Sequence, residues 1–419
     1  MARLDPSPTA RPGTVGPGPG AAPALQALYQ AIQVQEPALV ALRRELHAHP
    51  ELGFQELRTG DRVAAFLADC GLEVHRGLGR TGVVGTLRGR LGPGRAVGLR
   101  ADLDALPIRE RGEREYRSTR DGVMHACGHD GHTAMLLGAA QYLAAHADFA
   151  GTVQFIFQPA EEGLGGARVM IEDGLFRRFP VDAVYGLHAF PGMPAGRFGL
   201  RPGPMMAASD TWTVTFSGTG GHGGAGVHLA TDPTVVLGQF IPALQSIVGR
   251  NVPAIDPAVL SIGYLQAGAP GSPNVIPSEV VVRGTARSFA PEVRDLLERR
   301  LAEVAVSLAA ASACTATLDY QRRYPPLVNA AAQADRAADV AAALVGLAQV
   351  DRNLPLVTAG EDFAFMLNDV PGAFMIIGNG PGADGAFHDL HTPYYDFNDG
   401  ILCLGSAYWC ALALAELGE

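Results

Sequence analysis

Apolar positions along the chain switch between two periods, and each switch marks an element. From about Leu25 to Leu46 the apolar spacing is helical. "TGDRVAAFLADCGLEV" repeats it in an amphipathic helix that stops at Gly71, a residue able to take the left-handed conformation that ends helices. Two short runs of β type follow, "TGVVGTL" and "AVGLRAD", separated by the turn-forming "RGRLGPGR". "HTAMLLGAAQYLAAHA" predicts a helix, and "GTVQFIFQPAEEG" an apolar strand that runs into two carboxylates. Helices alternating with continuous apolar strands predict an α/β domain with a mostly parallel central sheet, whose chemistry collects in loops at the carboxyl ends of the strands.

The pattern changes near residue 205. "TWTVTFSG" alternates as a half-exposed strand does, then come a Gly/His loop and the long helix "DPTVVLGQFIPALQSIVG". The strands "AVLSIGYLQAG" and "EVVVRGTARSF", the helix "PEVRDLLERRLAEVAVSLAAAS" and the strand "TATLDYQRRY" complete a β-α-β-β-α-β-like block the size of an inserted α+β domain. The predicted organisation is a Pro/Gly-rich extension over 1–25 that does not pack, an α/β domain over 26–204 and 318–419, and an insertion over 205–317.

Composition narrows the possible functions. The 419 residues, 47% of them apolar, suffice for more than one core, and neither a stretch of about 18 uninterrupted apolar residues nor a signal-peptide pattern is legible. Five dispersed cysteines fit a reducing compartment better than a disulfide framework, so the expected location is the cytoplasm. A net charge of -10 argues against nucleic acid and anionic membranes as partners. Every Lys/Arg position is Arg, which reads as coding bias and not as function.

The densest chemistry is "MHACGHD", residues 124–130. Cys127 and His129 lie two apart around Gly128, and both are good transition-metal ligands, although a helix N-terminus with incidental polar residues has the same look. Glu161 and Glu162 follow an apolar strand, and His188 in "YGLHAF" follows another. Taken singly, a surface carboxylate pair and a structural histidine explain them; taken together, each stands where a strand end would present it. Ligands dispersed over so much of the chain do not make a structural zinc-thiolate site.

These stretches, with "LRRELHAHPELGFQE", "LRADLDALP", "FQPAEEGLGGARVMIEDGL", "NVIP", "RGTARSF", "GEDFAF" and "HTPYYDFND", resemble the M20 metallopeptidase family, in its branch of hippurate, N-acyl-amino-acid and indole-acetyl-amino-acid hydrolases. The resemblance runs from about residue 36 to 417. It implies a zinc-exopeptidase-like catalytic domain with a smaller lid and dimerisation domain. It also implies two divalent ions (Zn, Mn, Co or Ni) held by Cys127, His129, Glu162, His188 and His391, with Glu161 as general base. His388, three residues earlier, is the rival to His391. Asp102 and Asp104 fall where ligand-orienting carboxylates are expected, with loop capping as their other reading.

In the insertion, "GTGGHGG" matches the motif whose histidine, His222, would reach the partner subunit's reaction centre. "HGGAGVHLATDP" departs from the family's His-x-x-x-Pro-His by one extra residue and by Val227 in place of Pro, which leaves His228 as an alternative donor. Asn274 and Arg287 would bind the free carboxylate of the substrate. The implied activity is metal-dependent hydrolysis of N-acyl or N-aroyl amino acids by a homodimer, with a dimer of dimers as the larger assembly. Aminopeptidase or dipeptidase activity on the same fold, and a non-enzymatic small-molecule binding protein, are the alternatives.

Overall fold

The computed structural model of the chain describes residues 15–381 and 385–418. They form two compact units, one of 15–203, 328–355, 362–381 and 385–418, the other of 204–327 and 356–361.

The first unit is built on an eight-stranded sheet in the order Glu73–Leu78, Gly82–Arg88, Thr152–Gln158, Ala96–Asp102, Ala183–Phe190, Gly372–Gly378, Phe198–Gly199, Val350–Asp351. Its four central strands, from Thr152–Gln158 to Gly372–Gly378, are parallel, whereas Gly82–Arg88 is antiparallel to them and to Glu73–Leu78, its hairpin partner. Buried on both faces, the central strands have nothing to alternate with, so they read as apolar runs. The helix His129–Ala145 packs against the helix Leu402–Leu417. Both are enclosed nearly all round, and both are apolar nearly all round for that reason.

Three expectations change here. The helical spacing from Leu25 to Leu46 resolves into two helices, Pro23–Gln33 and Glu36–Ala48, with Pro37 in the first turn of the second, where its missing N–H costs nothing. Residues 1–14 of the extension lie outside the described residues, but 15–25 do pack. Val15 N–H donates to the Gly400 carbonyl at 3.0 Å, Gly18 N–H to that of Leu344 at 2.9 Å, and Ala21 is buried. The third concerns the end of the insertion: the strand Thr315–Tyr324 is hydrogen-bonded along its length to Ala208–Ser217, which carries the division past 317 to 327.

The second unit holds a four-stranded antiparallel sheet, ordered Ala258–Ala267, Glu279–Ser288, Ala208–Ser217, Thr315–Tyr324. The helix Pro233–Asn251, capped by Asp232, turns Val236, Phe240, Leu244 and Ile247 inward, and the helix Pro291–Ala311 does the same with Val293, Leu297, Leu301, Ala305 and Ala309. These faces meet Trp212, Val214, Phe216, Val280 and Val282 of the sheet in one core.

Candidate metal centre

Three parallel strands deliver the centre. Ala96–Asp102 ends on Asp102, Thr152–Gln158 leads through Pro159 and Ala160 to Glu161 and Glu162, and Ala183–Phe190 carries His188 near its end. The fourth contribution is the loop entering the helix His129–Ala145. Gly128 there is left-handed (φ 94°), and a Cβ in its place would lie 2.7 Å from the Tyr395 hydroxyl, so only glycine brings Cys127 and His129 round this corner.

The candidate ligands converge. Ligand atoms of Cys127, His129 and Glu162 all lie within 4.8 Å of one another, as do those of Asp102, His129, His132 and His188. Cys127 Sγ is 3.5 Å from His188 Nε2, and His391 Nε2 is 3.2 Å from Glu162 Oε1. The His391 N–H donates to the Ala126 carbonyl at 2.8 Å, which ties the C-terminal "HTPYYDFND" segment to the cysteine loop. The His388 ring lies tilted beside that of Tyr394, their centroids 5.7 Å apart.

Hydrogen bonds on the far ring nitrogens fix which nitrogen is left to bind. His129 Nδ1 is 3.2 Å from Asp104 Oδ1, while its Nε2 is buried without a hydrogen-bond partner. His188 Nδ1 donates to the Ala189 carbonyl at 2.8 Å, leaving a lone pair on Nε2. His132 is different: Nδ1 is 2.7 Å from Asp102 Oδ1, and Nε2 accepts from the Ala189 N–H at 2.9 Å, so both nitrogens are spent on support. Asp102 takes Arg100 on its other oxygen at 2.8 Å, and Asp104 Oδ2 accepts the Glu162 N–H at 2.9 Å.

Electrostatics point the same way. Burial disfavours a proton on His129, yet Asp102 and Asp104 overrule it and hold the ring's pKa up at about 10. Burial, with Glu162, Glu161 and Asp102, pushes the Cys127 thiol well above its ordinary range. A site whose ionised carboxylates hold protons on the neighbouring ring and thiol this strongly is a site for cations. The orphaned His129 nitrogen, the Nε2 lone pair of His188 beside Cys127, the thiol and the Glu162 carboxylate form a mixed N/S/O donor set suited to divalent transition metals.

His222, Asn274 and Arg287 belong to the second unit. His222 is exposed on a short ribbon in which Gly221–His222 pairs with Val275–Ile276, and Gly223 N–H donates to the Asn274 carbonyl at 2.6 Å. Within "HGGAGVH", Gly226 (φ 77°) leads into a single 3-10 turn, Val227–Leu229, that carries His228. Arg287 is half-buried and donates to the Ala286 carbonyl at 2.9 Å.

Several supporting residues lie within the quoted stretches but carry no legible role in sequence. Arg100 is wholly buried and bonds Gln158 and Asp362 as well as Asp102. Asp362, in "GEDFAF", accepts from Gln158 and Ala167 and donates its own N–H to Glu161 Oε1 at 3.4 Å. Under the helix N-terminus, buried Arg43 pairs with Asp130 and Asp396, and His47 lies 2.8 Å from Asp130. Only His132 was open to pattern reading, as a histidine three residues after His129 on the same helix.

Residues 98–415 match the model of "Peptidase family M20/M25/M40". The chain is 40% identical to a hippurate hydrolase of Campylobacter jejuni over 90% of its own length and 96% of the relative's. It is also 40% identical to an N-acetyl-L-cysteine deacetylase of Bacillus subtilis, covering 89% and 86% of the two chains. A crystal structure described as a dinuclear metal-binding peptidase of the M20 family, from Bacillus subtilis, superposes with a TM-score of 0.80 at 33% identity, over 92% of this chain and 99% of that one. The chain therefore belongs to peptidase family M20, in the branch of its metal-dependent amidohydrolases.

Proposed function

We propose that the enzyme hydrolyses the amide bond of N-acyl or N-aroyl amino acids, releasing a carboxylic acid and a free amino acid, with two divalent ions held by Cys127, His129, Glu162, His188 and His391. The observation that carries this reading is the convergence of these five side chains, from four separate stretches of sequence, beside the buried Glu161. Bound ions supply the Lewis acidity that makes water a nucleophile near neutral pH and polarises the amide carbonyl. Glu161 takes the proton from the attacking water and returns it to the nitrogen as the C–N bond breaks, so no net proton is consumed at the base. Asp104 keeps His129 turned toward the ions and fixes the Glu162 main chain at the same time. The metal is Zn, Mn, Co or Ni, since a thiolate in the donor set admits each of these.

The second unit supports the remaining roles. Gly224 and Ala225 N–H groups both donate to His222 Nδ1, at 3.0 and 2.9 Å, so in the neutral ring the proton sits on Nε2. This is a donor prepared for a developing oxyanion, and it favours His222 over His228. Arg287 and Asn274 are assigned to the substrate carboxylate. For a homodimer there is an open sheet edge, Ala258–Ala267, that exposes Val259, Tyr264 and Leu265, together with Val235 and Ile241 on the helix Pro233–Asn251. Five free cysteines suit a cytoplasmic setting.

The test is a hydrolysis screen of protein reconstituted with each of the four metals, against N-benzoyl, N-acetyl and indole-acetyl amino acids and a set of dipeptides. Turnover of at least one N-acyl class well above the dipeptides is expected. Cleavage of dipeptides alone would replace this reading with a peptidase.

A further inference from the structure

We propose that Glu56 is a positioning residue for Glu161, acting through the backbone of Ala160; the proposal rests on the reading that the Glu161–Glu162 pair carries the chemistry.

Ala160 immediately precedes the base and is left-handed (φ 55°, ψ 44°). Gly163 and Gly165 in the same turn also have positive φ, but as glycines they do so freely. An L-residue disfavours this conformation by a factor of about 5 to 30 in population, so a turn with alanine there needs an external hold. Glu56 supplies it. Its carboxylate is fully buried, with Oε1 accepting the Ala160 N–H at 2.8 Å and Oε2 accepting the Thr81 hydroxyl at 2.7 Å.

The loop that carries Glu56 is shaped for this contact. A Cβ on Gly53 would fall 3.1 Å from Ala160 Cα and 2.9 Å from Leu164 Cδ1, so residues 51–56 close on the turn as only glycine permits. Within the same loop, Glu51 has a separate task, accepting the N–H of Thr59 in the first turn of the helix Leu57–Asp69. On the other side of the base, Asp104 holds the Glu162 N–H. The main chain of Glu161 is thus anchored before and after by a carboxylate, and of the two only Glu56 makes no contact with a candidate ligand. Keeping a carboxyl in this dry position is costly, and burial pushes its pKa up to about 7.

The experiment compares Glu56→Leu, which cannot accept a hydrogen bond, with Glu56→Gln, which can, and adds Ala160→Gly to the former. Kinetics on the best N-acyl amino acid substrate and elemental analysis for metal are the readouts. Glu56→Leu should lower kcat about 5- to 30-fold, with KM and metal content within about 2-fold of wild type. Glu56→Gln should stay within about 3-fold of wild type, because its amide oxygen replaces Oε1. Adding Ala160→Gly to Glu56→Leu should recover most of the loss, since glycine takes the left-handed turn unaided. Wild-type kcat in Glu56→Leu, or no recovery in the double variant, would overturn the proposal. If the leucine blocks folding, Glu56→Met, which also lacks an oxygen acceptor but packs more adaptably, goes through the same comparison with the same outcomes. A fully active Glu161→Gln would remove the reading beneath the proposal while leaving the rescue intact; an inactive Glu161→Gln without rescue would refute the role of Glu56 alone.

Discussion

The two units place their chemistry in opposite ways. In the first, every candidate ligand except His391 is buried or nearly so, and the ring nitrogens, carboxylates and backbone around Glu161 are held by the side chains of Asp104, His132, Arg100 and Glu56 and by the Asp362 N–H. In the second, His222 is exposed and is held by backbone N–H groups of a glycine-rich loop. A buried donor set pays for desolvation with a dense supporting network, whereas a group that must meet a substrate can stay on a thin loop. On the proposed function, the first arrangement would fix a cation site before anything binds, and the second would leave a donor that gains its partner only when substrate arrives.

The sharpest break in this comparison is at Glu161. Glu161→Gln keeps shape and hydrogen bonding while removing the base, and should cost about 10² to 10⁴ in kcat with metal content unchanged by elemental analysis. Wild-type turnover would take the chemistry away from the first unit.

His222→Ala should cost about 10² to 10³ in kcat, the scale of one lost oxyanion donor. If the donor serves the partner's reaction centre, refolding equal amounts of Glu161→Gln and His222→Ala chains should restore roughly a quarter of wild-type activity, because about half the dimers are mixed and each has one complete site. Subunit exchange without recovery would confine His222 to its own chain, and His228→Ala would then be put through the same complementation.

Arg287→Ala should raise KM by roughly 10-fold for substrates with a free carboxylate and leave carboxyl-amidated analogues almost unaffected. Equal loss on both would count against the contact.

The smallest effect concerns stability. Because burial raises the Glu56 pKa to about 7 from an ordinary 4.5, the folded chain keeps a proton between these values that the unfolded chain has lost. Its contribution to stability is greatest below pH 4.5 and is lost as the pH rises through 7. Glu56→Gln has no such dependence, so its melting temperature relative to wild type should climb by a few degrees from pH 5 to pH 8. A constant difference would mean that Glu56 titrates normally.

Part of the candidate site was legible by residue type, since Cys127 and His129 crowd one short loop and Glu162 and His188 follow apolar runs, whereas His391 came only from the resemblance of "HTPYYDFND" to the family. The insertion's elements were equally plain, since Val236, Phe240, Leu244 and Ile247 recur at helical spacing and Ala208–Ser217 alternates inside and out. What stayed hidden depends on pairing across the chain. Arg100 reads as a surface charge until strand register sets Asp102 opposite Gln158, and Arg43 finds Asp396 across 353 residues. The packed stretch 15–25 was hidden for another reason: Pro and Gly composition carries no trace of the hydrogen bonds that Val15 and Gly18 make to distant carbonyls.

The central claim, that amide hydrolysis here depends on ions held by these five residues, is tested most directly by titrating metal into chelator-stripped protein while following hydrolysis of the best N-acyl amino acid. The account predicts no turnover in the stripped protein and activity that saturates at two equivalents of divalent ion per chain. It also predicts that Cys127→Ser, whose hydroxyl stays protonated where a thiolate is needed, folds but fails to retain metal. Full turnover after exhaustive chelation, or a Cys127→Ser variant that holds two ions and works as well as wild type, would contradict it.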